Sequence, residues 1–315
     1  MKDFVYLDPR TLGEVIAHLA AHGAETRLLA GGTDLLLLMQ ADAIAADFVV
    51  DVRRIPDLLT LDHDEERGLT LGAAVCLRTV EISPVVRQRY PHLASSAAEI
   101  GSIQVRNLGT VGGNVCNAAP SADMAPALLT LEAAARIVGP RGERVVPLDQ
   151  FFVGPRQTVL QPDEILVSLQ VPPPAARTGG AYLKLKVRPA LDIAMVGVAA
   201  TVRLASGDGV VQRARIALGA VAPTPMRVPE AEALLEGKAP TAELLEEVGR
   251  IAAAACRPIS DIRASAEYRR EMVAVLTRRA VRQAAERAAP MTDPAADPAA
   301  DPMADPTADP EEVEA

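Results

Sequence analysis

The sequence has few cysteines, few aromatic residues and no tryptophan. Its three cysteines, Cys76, Cys116 and Cys256, are far apart and form no CxxC pair. Neither a zinc site nor a self-contained iron–sulfur cluster is therefore expected. Aromatic residues make up only 3% of the chain, whereas apolar residues make up 49%. The cores must be built mainly from alanine, valine, leucine and isoleucine. A chain of 315 residues suggests two or three domains.

Long apolar runs are also absent. No run reaches the roughly 18–20 residues that a membrane-spanning helix requires. The first residues, Met1 to Asp8, include acids where a secretory signal peptide has a basic and then an apolar segment. We therefore expect a cytoplasmic protein without a membrane span.

The chain has no excess of basic charge. It contains 41 acidic and 32 basic residues, and eight of the acids lie in residues 293–315, which contain no base. Without that segment the charges nearly balance, so the basic surface typical of nucleic-acid-binding proteins is not expected. Residues 293–310 of this segment repeat Asp-Pro every four residues and have no large apolar side chain except Met303. Residues 290–315 are therefore predicted to be a disordered acidic tail.

Apolar periodicity predicts two groups of helices and strands, separated by Pro172-Pro173-Pro174. Strands are predicted at residues 27–30, 48–52, 69–74, 135–138, 144–147, 181–187, 194–204 and 211–219. Helices are predicted at residues 11–23, 91–100, 123–131, 230–235, 242–256 and 264–289. The three prolines favour an extended linker. The predicted domains are therefore residues 1–174 and 178–286, followed by the tail at 290–315.

Two glycine motifs, Ala30-Gly31-Gly32-Thr33-Asp34-Leu35 and Thr110-Val111-Gly112-Gly113-Asn114, give the clearest functional signal. A Gly-Gly step adopts φ > 0 easily and carries no Cβ, so successive N–H groups can surround a phosphate. Neither motif is a Rossmann GxGxxG fingerprint or a Walker A loop. The pair predicts two turns that hold a dinucleotide diphosphate from both sides. Gly112→Val is then expected to abolish binding of that ligand, because a β-branched residue is strained at φ > 0.

Ser121 and Asp123 allow two interpretations. Both are good N-cap residues for the helix predicted at 123–131. The Asp123 carboxylate, nine residues after Asn114, would equally well accept hydrogen bonds from a ribose. The sequence leaves both interpretations open.

No catalytic acid–base residue and no metal ligand is expected in this chain, because the histidines all lie outside the glycine motifs: His18, His22, His63 and His92.

Ala30–Leu35, Thr110–Asn114 and Ser121–Pro126 together resemble the motifs of the FAD-binding medium subunits of molybdenum hydroxylases. That family includes the medium chain of aerobic carbon monoxide dehydrogenase and the FAD module of xanthine dehydrogenase. The resemblance covers roughly residues 1 to 285 and continues through residues 145–152, 163–166, 182–184, Arg188 and 192–194. It implies an α+β protein. Its FAD-binding fold is of the p-cresol methylhydroxylase (PCMH, vanillyl-alcohol-oxidase-like) type in two subdomains, followed by a smaller α+β C-terminal domain.

The resemblance also implies which residues contact FAD. The residues that match the loop wrapping the FAD pyrophosphate are Leu29, Ala30, Gly31, Gly32, Thr33, Asp34, Leu35 and Leu36. Those that match the loop contacting the flavin and its phosphates from the opposite side are Thr110, Val111, Gly112, Gly113 and Asn114. Asp123 matches an acid that contacts the FAD, Leu166 an apolar contact, and Lys184 a lysine near the flavin. Ile100 stands where some members place an aromatic residue.

By the same resemblance this chain carries FAD, while its partners carry a molybdenum cofactor and [2Fe–2S] clusters. The implied assembly is a dimer of heterotrimers with a large molybdenum-cofactor subunit and a small [2Fe–2S] subunit. The implied activity is oxidoreductase electron transfer through FAD to NAD, a quinone or oxygen. One branch of the family has a cysteine-bearing insertion after the second motif, which is missing here because Cys116 stands alone. Two alternatives remain, a stand-alone flavin oxidoreductase of the same superfamily and an assembly subunit without cofactor.

Overall fold

The computed structural model describes residues 2–206 and 209–289. The α-helices of these residues are Leu12–His22 (α1), Leu35–Gln40 (α2), Leu77–Ile82 (α3), Pro84–Arg89 (α4), Pro91–Ala98 (α5), Ile103–Leu108 (α6), Val111–Cys116 (α7), Met124–Thr130 (α8), Pro229–Leu235 (α9), Ala242–Ala255 (α10) and Ala266–Ala288 (α11). The strands are Val5–Leu7 (β1), Thr26–Leu29 (β2), Phe48–Asp51 (β3), Leu61–Asp64 (β4), Gly68–Gly72 (β5), Ala134–Gly139 (β6), Gly142–Pro147 (β7), Phe152–Gly154 (β8), Gln157–Thr158 (β9), Ile165–Val171 (β10), Thr178–Leu185 (β11), Val196–Leu204 (β12), Val211–Gly219 (β13) and Met226–Arg227 (β14). The predicted acidic tail at 290–315 lies outside the described residues.

The first sheet is parallel and positions the first glycine motif. Its strand order is β1-β3-β2. Helix α1 connects β1 to β2, and its N-cap is Thr11, whose hydroxyl accepts the N–H of Glu14 at 3.2 Å. The helix buries Val15 and Leu19 in the first core, which also contains Val50 and Leu71. Because β2 ends at Leu29, the motif leaves the sheet at the carboxyl end of a strand.

The second sheet is antiparallel and has the strand order β4-β5-β10-β6-β7. Strands β6 and β7, predicted at residues 135–138 and 144–147, pair as a hairpin, with Gly142 at φ +107° after the tight turn. Side chains of β6 alternate between buried and half-buried, as expected for a strand with one face on the core. The core beneath it contains the fully buried Tyr90, Leu128 and Phe151.

The C-terminal half places strands first and helices afterwards, as predicted. Strands β11 to β14 form an antiparallel sheet in sequence order. Helices α9 and α11 pack on one face of the sheet, and α10 packs on these two helices; together they form a second core with residues such as Val198 and Val281. The opposite face contributes Tyr182, Ala199 and Ala217 to the first core. The two halves therefore pack directly against each other.

The predicted turn at Thr110–Asn114 is wrong, because Thr110 is the N-cap of helix α7 and its hydroxyl accepts the N–H of Gly113. The prolines at 172–174 lie between β10 and β11 in neither helix nor strand, as expected of a connection. The domain division at that point stays a prediction. Within residues 2–206 and 209–289, no helix is both long enough and apolar enough to cross a membrane.

Candidate cofactor-binding cleft

The two glycine motifs meet at a cleft of about 350 Å³, within the size range of small-molecule sites. The first motif forms one wall, and the segment joining α6 to α7 forms the other. The predicted contact residues that line the cleft are Ala30, Gly31, Gly32, Thr33, Asp34, Leu35, Thr110, Gly113 and Asn114. Its other lining residues are Arg27, Leu28, Leu38, Ile44, Leu77, Ile100, Val105, Gly109, Cys116 and Asn117.

The first motif leaves its main-chain donors free. No described residue accepts a hydrogen bond from the five consecutive N–H groups of Gly31 to Leu35. Gly32 has a φ of +73°, a left-handed conformation that glycine adopts without steric cost. Helix α2 starts immediately afterwards, with the N–H of Leu36 donating to the Gly32 carbonyl at 3.1 Å. A run of unpartnered N–H groups beside a cleft is suited to binding an anion such as a diphosphate.

Gly31 allows the two walls to touch. An ideal Cβ on Gly31 would overlap the carbonyl oxygen of Leu108 and would lie 2.7 Å from the Cα of Gly109. Both obstacles are backbone atoms, which cannot move aside as a side chain can. The first motif therefore packs directly on the residues that precede the second, and this contact requires glycine.

The second motif does not present free N–H groups, which corrects the sequence prediction. The main-chain N–H groups of the four residues after Thr110 all donate hydrogen bonds to other atoms of the protein. The N–H groups of Val111 and Gly112 donate to the carbonyls of Val75 and Ala73, and those of Gly113 and Asn114 donate to the Thr110 hydroxyl and carbonyl. The distances are 2.8 to 3.0 Å. This motif therefore cannot surround a phosphate with main-chain donors.

Neither Gly112 nor Gly113 forms a left-handed turn, and Gly112 serves close packing instead. Neither has a positive φ. An ideal Cβ on Gly112 would lie 2.6 Å from Ala73 Cβ and 2.7 Å from the Ala73 carbonyl oxygen. Gly112→Val is therefore expected to act by pushing α7 away from the end of β5, not by backbone strain at φ > 0. That part of the sequence-based argument was wrong.

Asn114 brings an unpartnered polar atom of the second motif to the cleft. Its side-chain Oδ1 is buried, has no hydrogen-bond partner among the described residues, and belongs to a residue that lines the cleft. Buried polar atoms in proteins nearly always have a partner, so this acceptor fits a ligand donor.

Burial raises the pKa of the neighbouring Cys116 thiol to about 12, so it stays protonated. The described residues contain no cluster of three metal-ligating side chains.

Asp123 and Lys184 form a buried ion pair behind the cleft wall. Lys184 Nζ donates to Asp123 Oδ2 and to the main-chain oxygen of Glu99, both at 2.9 Å. The Tyr182 hydroxyl donates to Asp123 Oδ1 at 2.7 Å. The side chains of Lys184 and Asp123 are 1% and 9% exposed. Ile100, which follows Glu99, lines the cleft, whereas Asp123 and Lys184 do not.

This ion pair overturns the capping interpretation. Helix α8 begins directly after Asp123, yet neither Asp123 nor Ser121 makes a side-chain capping hydrogen bond. Burial raises the pKa of Asp123 to about 6, although Lys184 and Tyr182 both favour the ionised form. Burial and the nearby Asp123 charge raise the pKa of Tyr182 well above its usual value, so Tyr182 remains a donor. The contacts of Asp123 and Lys184 with FAD stay predictions.

Five other predicted contacts lie outside the cleft lining: Leu29, Leu36, Val111, Gly112 and Leu166. Leu166 is buried in β10 opposite Ile137, and Leu36 is 38% exposed. Sequence reasoning missed most of the apolar lining, such as Leu77 and Val105, because tertiary packing alone brings these residues to the cleft. Gly109 and Asn117 could have been predicted as lining residues, because they lie close to the second motif in sequence.

Comparison with known proteins identifies both halves of the chain. Residues 2–174 match the family described as the FAD binding domain in molybdopterin dehydrogenase, and residues 181–284 match the CO dehydrogenase flavoprotein C-terminal domain. The carbon monoxide dehydrogenase medium chain of Hydrogenophaga pseudoflava is 37% identical over 278 residues, covering 88% of this chain and 96% of the relative. The putative xanthine dehydrogenase FAD-binding subunit of Escherichia coli is 34% identical over 283 residues, with 89% and 96% covered.

Solved structures show the same fold. Carbon monoxide dehydrogenase from Hydrogenophaga pseudoflava, lacking the Mo-pyranopterin moiety of its cofactor, matches with a TM-score of 0.87 and 38% identity, covering 91% of this chain and 99% of that chain. Quinoline 2-oxidoreductase from Pseudomonas putida 86 matches with a TM-score of 0.85 and 31% identity over the same shares. The predicted fold class is confirmed. The chain therefore belongs to the FAD-binding medium subunits of molybdenum hydroxylases and is an oxidoreductase component.

Proposed function

We propose that this chain is the FAD-carrying electron-transfer subunit of a heteromeric molybdenum hydroxylase. In this proposal electrons pass from [2Fe–2S] clusters of a partner subunit, through the FAD held here, to NAD, a quinone or oxygen. The observation that carries the proposal is the run of five unpartnered N–H groups in the first motif, beside a cleft in a chain of this family. FAD supplies the electron-transfer chemistry, and the protein supplies its position and surroundings.

The cleft residues fit the parts of FAD. The N–H groups of Gly31 to Leu35 bind the diphosphate oxygens, which carry negative charge and accept several hydrogen bonds. The orphaned Oδ1 of Asn114 accepts a hydrogen bond from a ligand donor. Leu77, Ile100 and Val105 provide an apolar wall that excludes water from a ring system. Among the described residues that line the cleft, Arg27 and Asp34 alone have charged side chains, and we assign this lining a role in binding instead of acid–base catalysis.

We extend the proposal to the predicted contacts that do not line the cleft. Leu29, Leu36, Val111 and Gly112, which flank the lining residues in sequence, are proposed FAD contacts. Asp123, Leu166 and Lys184 are proposed FAD contacts on the strength of the family resemblance alone.

The proposed partners are a large molybdenum-cofactor subunit and a small [2Fe–2S] subunit, assembled as a dimer of heterotrimers in the cytoplasm. Relatives named as medium chains and as FAD-binding subunits support an assembly of unlike chains. We also propose the domain division into residues 1–174 and 178–286, supported by the two apolar cores on either side of Pro172–Pro174.

Co-expression with the two partner subunits tests this function. We expect a yellow complex whose iron–sulfur clusters, once reduced chemically, are reoxidised quickly by NAD, a quinone or oxygen. The same complex stripped of flavin should be reoxidised far more slowly by that acceptor. A fully assembled complex without flavin would favour the assembly subunit, and turnover of an organic substrate by the isolated chain would favour the stand-alone oxidoreductase.

A further inference from the structure

The cleft wall that contains Ile100 continues into exposed apolar side chains. The carbonyl of Gly101, the next residue, accepts the N–H of Leu191 at 3.1 Å. Leu191 belongs to the loop that joins β11 to β12, so this loop lies directly beside the wall. Five large apolar side chains of α6 and this loop are 49 to 74% exposed: Ile103, Leu108, Val187, Leu191 and Ile193. We call these five residues the apolar rim. Apolar side chains grouped beside a cleft are typical of a binding surface.

The loop of the apolar rim is held in one conformation by its own hydrogen bonds. The Asp192 carboxylate accepts the N–H groups of Val187 at 2.6 Å and Arg188 at 2.9 Å. Leu191 has a φ of +54°, a left-handed conformation that leucine seldom adopts. The exposed side chains are therefore presented in a fixed arrangement, which lowers the entropy lost when a ligand binds.

The basic side chains around this wall are all neutralised. Helix α3, residues 99–108 and residues 184–193 contain five lysines and arginines, and each lies 2.5 to 3.6 Å from a carboxylate oxygen. The pairs are Arg78–Glu81, Arg106–Glu81, Lys184–Asp123, Lys186–Glu99 and Arg188–Asp192. NAD carries two phosphates, and protein sites bind phosphates with free cations or free N–H groups. These three segments supply no unpaired cation for that purpose, whereas they do supply apolar surface.

We propose that the electron acceptor of this chain is an uncharged quinone, whose apolar tail lies on the apolar rim. This inference rests on the proposed function, because it takes reduced FAD in the cleft as the electron donor. The quinone takes up two electrons and two protons from the reduced FAD and becomes a quinol, while FAD returns to its oxidised form. A quinone ring needs no cation, and burial of its tail is favourable in proportion to the apolar area removed from water.

Oxidation of the chemically reduced three-subunit complex by different acceptors tests the proposal. The acceptors are a ubiquinone with one isoprenoid unit, the same quinone ring without a tail, NAD and oxygen. The two quinones differ only in the tail. We expect the tailed quinone to half-saturate the oxidation rate at a concentration about tenfold lower than the tailless one. NAD at the same concentration should oxidise the complex at least about tenfold more slowly than the tailed quinone.

The double variant Leu191→Asn/Val187→Thr tests the apolar rim itself. Asparagine tolerates the left-handed conformation of residue 191, and threonine keeps the branched shape of Val187, so the loop should keep its conformation. The preference for the tailed quinone should fall from about tenfold to about twofold, with flavin content unchanged. Val145→Thr, on the edge strand β7 and outside the cleft lining, makes the same kind of substitution at an exposed position and should keep the full preference.

The outcomes separate this inference from the proposed function. Faster oxidation by NAD or oxygen than by the tailed quinone would overturn the quinone as acceptor while electrons still leave through FAD. Equal half-saturating concentrations for the two quinones, or an undiminished preference in the double variant, would overturn the role of the apolar rim. A complex that assembles without flavin would overturn the proposed function itself and, with it, this inference.

Discussion

Gly31→Ala is expected to yield a chain that folds poorly around the cleft and retains no FAD. The added Cβ would overlap the Leu108 carbonyl and crowd Gly109, so the first motif must move away from the opposite wall. Overpacking of this kind costs about 1–3 kcal/mol of unfolding free energy. Displacement of the five N–H donors should weaken FAD by about a hundredfold or more, since several charge-assisted hydrogen bonds are lost together. Flavin content after purification and an FAD titration measure the effect.

Gly13→Ala provides the matched control for this glycine substitution. Gly13 lies in the first turn of α1, and its ideal Cβ would meet nothing closer than the Thr11 hydroxyl at 4.0 Å. Alanine favours helices over glycine by up to about 1 kcal/mol, so this variant should be as stable as the unaltered chain or slightly more so. Normal flavin content in Gly31→Ala would show that the close approach of the two walls is dispensable.

Lys184→Met is expected to lower the unfolding free energy by about 3–5 kcal/mol, because it leaves the buried Asp123 carboxylate without its charge partner. Methionine has a similar length but donates no hydrogen bond to Asp123 or to the Glu99 carbonyl. Denaturant unfolding at neutral pH measures the loss. The double variant Asp123→Asn/Lys184→Met removes both charges and keeps an acceptor for the Tyr182 hydroxyl, so it should recover most of the stability.

The pH dependence distinguishes a charge effect from a packing effect at this site. Burial raises the pKa of folded Asp123 to about 6, above the ordinary value near 3.8. The folded state therefore binds the proton more tightly, so the contribution of Asp123 is most favourable below about pH 4 and declines as pH rises to about 6. Without Lys184, which favours the ionised form, that pKa rises further and the decline extends to higher pH. Lys184→Met should thus cost more at pH 8 than at pH 5, and an equal cost at both would contradict the charge argument.

Local patterns were sufficient to predict most helices and strands. The strands predicted at residues 135–138 and 144–147 and the helix predicted at 11–23 depend on signals carried by neighbouring residues, and the structure confirms them as β6, β7 and α1. The first motif was also predicted correctly as a turn with free donors, because it follows a strand directly and Gly32 adopts φ > 0.

The second motif was misread because its hydrogen-bond partners are distant in sequence. Gly-Gly is compatible with a left-handed turn and with a helix that packs closely on another segment, and only the carbonyls of Ala73 and Val75 decide between the two. The ion pair of Asp123 and Lys184 spans 61 residues and joins the two halves of the chain. No local rule reveals such a pair, whereas a capping residue before a helix is an obvious local interpretation.

A crystal structure of the FAD-loaded protein, alone or in its complex, tests the central claim most directly. We predict one FAD in this cleft, with its diphosphate oxygens within hydrogen-bond distance of the N–H groups of Gly31 to Leu35 and not of those of Gly112 or Gly113. A diphosphate bound elsewhere, or held mainly by main-chain donors of the second motif, would contradict the account.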